Sequence, residues 1–151
     1  MSKTLLRLAL VAAAVIVLIQ FVPVGRTNPP VESDFDGPSE VAAVLKTSCY
    51  DCHSNETRWP WYSRVAPASW LVAHDVEEAR DRMNFSLWGT YDPRRQEKLA
   101  EDIWEAVEEG EMPLRVYLLG HPEARLDAGS KGLIQAWARA GSGERGEHDE
   151  D

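Results

Sequence analysis

Apolar residues at the start of the chain form a run over residues 5–22 that is broken only by Arg7 and Gln20. The run is just long enough to cross a bilayer, for which about 17–25 residues are needed. Because the basic Lys3 and Arg7 lie at its start, the rest of the chain is predicted to lie outside the cytoplasm. No Ala-x-Ala cleavage pattern follows, so we predict that segment 1–24 is a transmembrane anchor, with a cleaved signal peptide as the alternative.

From residue 39 to residue 141 the apolar positions recur every three or four residues, which is the helical period. No alternating pattern typical of strands occurs, so the predicted fold class is all-α. Glycine, proline and capping residues predict where four helices begin and end. The predicted helices carry Val41, Val44 and Leu45 after a capping Ser39; Val72, Val76, Ala79 and Met83 from near Pro67; Leu99, Ile103 and Val107 between Asp92 and Gly110; and Leu133, Ile134, Trp137 and Ala138 from about Asp127 to Ala140.

Two segments flank this helical domain and lack its pattern. Residues 25–38 are rich in proline and glycine, which predicts an extended linker that holds the domain away from the membrane. Residues 142–151 are acidic and contain no apolar side chain, which predicts a disordered tail.

The chain is acidic, with a formal net charge of −9, and it has no stripe of lysine and arginine. Nucleic-acid binding is therefore not expected, because phosphates repel an acidic surface. The two cysteines are too few for a disulfide-stapled secreted scaffold, so they are expected to serve a local site.

That site is the sequence Cys49-Tyr50-Asp51-Cys52-His53, a C-x-x-C-H motif typical of covalent haem attachment. Two thiols at this spacing can add to the two porphyrin vinyl groups, while the adjacent histidine binds the iron. A structural zinc site is the first alternative, but it needs four ligands and no matching second pair occurs. A thioredoxin-like redox pair is the second alternative, but such a pair occurs in a βαβ fold and this chain is predicted to be all-α.

The second axial ligand of the iron is predicted to be Met112, which lies 59 residues after His53 in a loop that follows a helix stop. A thioether ligand raises the reduction potential of haem iron. The alternative is that Met112 only packs against the ring or fills a gap. His74 is the second candidate ligand, although a role as a packed, hydrogen-bonded residue is favoured for it, while His121 and Met83 are interpreted as structural.

Aromatic residues follow the motif closely. Trp59, Trp61, Tyr62 and Arg64 are predicted either to wall the haem and bind its propionates or to form a rigid turn that packs the helices together. Both roles are compatible if the haem forms part of the core.

The stretch from Ser48 to Trp70 resembles the bacterial haem-binding domain family built on C-x-x-C-H. Met112-Pro113-Leu114, Tyr117, the stretch His121-Pro122-Glu123-Ala124 and the tryptophan-bearing last helix extend the resemblance over residues 39–140. It implies a membrane-anchored, periplasmic domain similar to small cytochromes c, with one haem bound by Cys49, Cys52 and His53; a distal role of Met112 is implied less directly.

The predicted function is one-electron transfer by a single covalent haem c, with His53 and Met112 as iron ligands. Expected partners are redox proteins at the membrane, and the expected location is the bacterial inner membrane with the domain in the periplasm. A sensor of NO, CO or O₂ is the first alternative and requires an open or weak sixth position. Peroxidase-like catalysis, thiol exchange and a purely structural haem domain are further alternatives.

Overall fold

A computed structural model describes residues 2–143 of the chain. Helices and short 3₁₀ turns are its only regular elements, and no strand occurs in this range, which confirms the all-α prediction. The part of the predicted disordered tail that follows residue 143 lies outside the described residues. The helices are α1 (Lys3–Ile19), α2 (Ser39–Ser48), α3 (Tyr50–His53), α4 (Ala68–Arg82), α5 (Pro93–Glu108), α6 (Tyr117–Gly120) and α7 (Ala128–Gly143), with 3₁₀ turns at Trp61–Arg64, Phe85–Thr90 and Pro122–Ala124.

The N-terminal helix α1 is largely apolar, with Lys3, Thr4 and Arg7 in its first turns, and none of its residues is buried. The Ser2 hydroxyl caps it by accepting a hydrogen bond from the Leu5 amide at 3.3 Å. Its end is tied to the domain, because the Gln20 side chain donates to the Ala66 carbonyl at 3.2 Å and accepts from the Ala66 amide at 2.9 Å. Among residues 2–143 no helix is both long and apolar enough to cross a membrane, so the predicted transmembrane helix is not supported.

Segment 25–38 is extended, as its prolines require, but it does not stand apart from the domain. Asn28 donates to the Thr57 carbonyl at 2.9 Å, and the Ser33 amide donates to the Ser86 carbonyl at 3.1 Å. Phe35 is buried in the core. One buried aromatic side chain and several backbone hydrogen bonds thus hold the predicted linker segment on the helices.

An aromatic cluster forms the centre of the core. The Phe35 ring meets the edges of Phe85, Trp88 and Trp137 at centroid distances of 5.3–6.0 Å. Tyr50, the residue after Cys49, stacks on Phe85 at 5.1 Å. Such aromatic pairs favour edge-to-face or offset packing and bury large areas. The cluster thus joins the extended segment, the haem motif and the last helix.

Helix boundaries follow local chemistry with one exception. Asp92 caps α5 by accepting from the Arg95 amide at 3.1 Å, and Gly110, with φ of 73°, ends it. At α2, however, Pro38 occupies the cap position and no side chain supplies a cap hydrogen bond. The predicted cap Ser39 is instead the first helical residue, because the Ala42 amide already bonds to the Pro38 carbonyl at 2.9 Å.

Candidate functional site

The C-x-x-C-H motif lies where α2 passes into the single turn of α3. The Cys49 amide donates to the Leu45 carbonyl at 2.8 Å, and the His53 amide donates to the Cys49 carbonyl at 2.9 Å. Helical spacing puts residues three and four apart on one face, which groups Cys49 with Cys52 and His53. Buried Leu45 and Tyr50 hold this turn on the core, so the core fixes the direction of the motif.

All three motif side chains line one cavity of about 660 Å³. This volume is typical of pockets that enclose a drug-sized ligand or cofactor. The walls are largely apolar, and they come from the end of α4, one face of α5 and the loop after α5. The chief wall residues beyond the motif are Ala79, Met83, Phe85, Leu99, Ile103, Ala106, Val107, Met112, Pro113, Leu114 and Tyr117.

His53 is held by one of its ring nitrogens. Its Nδ1 lies 3.0 Å from the Ala79 carbonyl oxygen and 3.2 Å from the Met83 carbonyl oxygen, both at the end of α4. Carbonyls only accept, so Nδ1 carries the proton and Nε2 is left with a free lone pair. Burial lowers the pKa of His53 and outweighs the opposing effect of these carbonyls, which favours the neutral ring that binds metals.

Neither cysteine has the character of a reactive thiolate. Both are unpaired and only partly exposed. Burial raises the pKa of the Cys49 thiol to about 12, and burial together with the nearby Asp51 carboxylate raises that of Cys52 to about 11. Exchange catalysts instead lower the thiol pKa with nearby positive charge. The thiol-exchange alternative is therefore disfavoured.

Met112 lines the same cavity as His53. Its loop is fixed to the end of α5, because the amides of Glu111 and Met112 both donate to the Ala106 carbonyl at 2.9 and 3.0 Å. The other candidate ligand, His74, lies outside: its side chain is 70% exposed, faces Glu78 at 3.7 Å and does not line the cavity. The structure thus brings Met112, and not His74, to the motif.

Sequence reasoning missed a polar network centred on Asp51, inside the motif. The Asp51 carboxylate accepts from the backbone amide of Arg58 at 3.1 Å and from its guanidinium at 3.2 and 3.3 Å. It also accepts from the Tyr117 hydroxyl at 2.8 Å, and this bond contributes, after burial, to the raised pKa of Tyr117. No spacing rule links these residues, since Tyr117 is 66 positions away.

None of the four residues predicted to wall the haem, Trp59, Trp61, Tyr62 and Arg64, lines the cavity. The Trp59 indole donates to Asn28 at 3.1 Å, and Trp61 is 77% exposed. The Tyr62 hydroxyl lies 2.9 Å from His121 Nε2 and lines a second cavity of about 230 Å³, which shares Asp51, Cys52 and Tyr117 with the first. The structure thus favours the packing alternative for Trp59 and Trp61 and places Tyr62 next to the haem motif.

The donor set of the large cavity fits a haem. Two neutral thiols and an oriented imidazole meet in one apolar space, and a thioether side chain lies in its wall. Over the described range, no group of three or more His, Cys, Asp or Glu side chains is arranged to hold a metal ion by itself.

Comparison with protein families gives a match over most of the chain. The profile of the haem-binding domain family matches residues 14–140. No curated protein and no solved structure matches the sequence. Residues 14–140 include the motif, the cavity and the core that supports both, and the chain therefore belongs to the haem-binding domain family.

Proposed function

We propose that the chain is a c-type monohaem protein that transfers single electrons, with Cys49 and Cys52 as covalent attachment points and His53 and Met112 as iron ligands. The observation that carries this proposal is that all four side chains line one cavity. When bound, haem supplies an iron that accepts and releases one electron.

The residues around the cavity have distinct roles in this proposal. Cys49 and Cys52 would hold the haem by thioether bonds, and addition of an S–H across a vinyl group places the thiol hydrogen on the vinyl carbon without an oxidant. The Ala79 and Met83 carbonyls keep the proton of His53 on Nδ1, which leaves Nε2 as the nitrogen that would bind the iron. A Met112 thioether ligand would raise the reduction potential, and the apolar walls would exclude water.

The negative charge around the cavity favours a redox partner with a basic surface. Besides Asp51, which is paired with Arg58, five carboxylates line the cavity, and Arg82 is the one lysine or arginine among its lining residues. An acidic surface attracts basic partners over a distance and raises the association rate. The carboxylates are Asp75, Asp102, Glu105, Glu109 and Glu111.

We further propose that α1 holds the protein at the bacterial inner membrane, with the haem domain in the periplasm. The exposed apolar side chains of this 17-residue helix are not covered by the domain, and the surface of a bilayer would cover them. The basic Lys3 and Arg7 at its start favour the cytoplasmic side for that end. Co-sedimentation of the full chain with lipid vesicles tests this part.

Gas sensing is the second candidate function. Met112 is 37% exposed in a loop, so a small ligand is able to reach and displace a thioether there. A sensor of NO, CO or O₂ requires such a weak sixth position.

The decisive experiment compares Met112→Ala with the unchanged protein after haem maturation, by absorption spectroscopy in both oxidation states. We expect a methionine–iron charge-transfer band in the wild type, its loss in M112A, and a lower reduction potential. Met83→Leu is the matched control, because Met83 lines the same cavity and is expected to leave the band intact. A five-coordinate wild-type spectrum would favour the sensor, and a spectrum unaffected by M112A would overturn the ligand assignment.

A further inference from the structure

We infer that residues 61–71 form a second membrane contact, lying in the lipid–water interface beside the end of α1. The inference rests on the membrane association proposed above. Seven residues of this 61–71 surface are exposed: Trp61, Arg64, Val65, Pro67, Ala68, Trp70 and Leu71. Trp61 is 77% exposed and Leu71 is 55% exposed, although the core of the domain buries smaller apolar residues completely.

The first argument is position. Two hydrogen bonds join Gln20 to both backbone groups of Ala66, in the middle of the 61–71 surface. The Arg26 guanidinium adds a third tie by donating to the Ser63 carbonyl at 3.0 Å. A helix embedded in a bilayer up to residue 19 therefore brings the 61–71 surface to the level of the headgroups.

The second argument is side-chain chemistry. Tryptophan is enriched at membrane interfaces because its ring is apolar and its N–H still reaches a polar partner. Arginine covers apolar surface with its stem while its charge stays with the headgroups. Phe21 and Val22, which directly follow Gln20, are also apolar and exposed.

The third argument is charge. All 25 acidic residues of the chain lie outside residues 1–31 and 57–74, the two segments that meet at this surface. Lys3 and Arg7 lie at the far end of α1, which leaves Arg26, Arg58 and Arg64 near this surface, and Arg58 is paired with Asp51. Basic side chains are attracted to an anionic bilayer. A second copy of the chain is a poorer occupant, because two such basic surfaces repel each other.

The surface also has a defined relation to the haem cavity. Helix α4 begins within the 61–71 surface, and Ala79 and Met83 at its other end contribute the two carbonyls that hold His53. Its 15 residues span about 22 Å at the α-helical rise of 1.5 Å per residue. A membrane contact at 61–71 thus fixes the start of the helix that supports the iron ligand.

The test uses the full haem-loaded chain in mixed phosphatidylcholine and phosphatidylglycerol vesicles. Once both native cysteines are in thioether bonds, Val65→Cys or Leu71→Cys supplies a single thiol for a nitroxide label. Power-saturation spectroscopy compares collisions with O₂, which concentrates in lipid, and with a water-soluble nickel chelate. Glu101→Cys, an exposed position on α5, is the matched control.

We expect the ratio of O₂ to nickel collisions to be severalfold higher at positions 65 and 71 than at position 101. Equal ratios at all three positions in sedimenting vesicles would overturn the inference and leave the membrane association standing. If the protein does not sediment with the vesicles, both this inference and the proposed membrane association are overturned. Nitroxide broadening at position 65 that grows with the protein-to-lipid ratio would assign the surface to a second copy instead.

Discussion

Asp51 is the residue whose surroundings say most about how the haem motif is held. It occupies a variable position of C-x-x-C-H, yet its carboxylate receives hydrogen bonds from Arg58 and from Tyr117. These bonds connect the motif to the turn after it and to α6 beside the cavity. The orientation of the motif therefore depends on hydrogen bonds of Asp51 as well as on Cys49, Cys52 and His53.

Replacement of Asp51 by Asn is expected to lower the free energy of unfolding by about 1–2 kcal/mol, since hydrogen bonds to a charged group are lost in a largely covered site. Glu78→Gln is the control. Its ion pair with Arg82 is 2.8 Å long but exposed, and its loss is expected to cost less than about 0.5 kcal/mol. Urea denaturation of both haem-loaded variants measures the difference, and equal losses would contradict the assigned role of Asp51.

Helix α5 shows how one element serves both fold and site. Its capping residues fix where it begins and ends, and one face of it supplies the cavity residues Leu99, Ile103 and Val107. At its end, Gly110 adopts a left-handed φ of 73° and turns the chain so that the next two amides bond back to Ala106. This turn delivers Met112 to the cavity.

Two glycine-to-alanine substitutions are expected to change the stability of the protein in opposite directions. Gly110→Ala places a Cβ in left-handed backbone and is expected to destabilise the protein by about 1 kcal/mol. Gly132→Ala lies inside α7 and is expected to stabilise it by roughly 0.5–1 kcal/mol. An added Cβ meets no atom within 4 Å at either position, so backbone preference alone decides. Thermal unfolding measures both, and a stabilising G110A would refute the assigned role of this turn.

At the scale of the whole molecule, the extended segment 25–38 is an integral part of the domain. Phe35 joins Trp88 and Trp137 in the aromatic cluster, and Arg80 of α4 donates to the Thr27 carbonyl and the Asn28 side chain at 2.9 and 3.1 Å. The domain is therefore held close to α1, and swinging on a free tether is not expected.

Phe35→Ala is expected to lower the free energy of unfolding by about 3–5 kcal/mol, because it opens a cavity in the aromatic cluster. Val31→Ala, in the same segment, is the control. Val31 is 44% exposed, and its truncation is expected to change stability by less than about 0.5 kcal/mol. If urea denaturation gives F35A the same small effect as V31A, segment 25–38 is a separable linker after all.

The sequence alone determined the features that depend on neighbouring residues. The period of Leu99, Ile103 and Val107 predicts α5, and Asp92 and Gly110 predict its ends, because helical periodicity and capping are local. The C-x-x-C-H spacing predicts haem binding for the same reason, since the attachment chemistry needs only adjacent side chains. The family match and the all-α fold agree with those two predictions.

Only the tertiary structure decided which distant residues meet. It brings Met112 into the cavity with His53 and leaves His74 on the surface. In the folded chain Trp59 and Trp61 also lie outside the cavity lining, and Phe35 is buried. Such outcomes depend on how α4, α5 and the extended segment pack against one another, and packing is a property of the assembled core that no local pattern encodes.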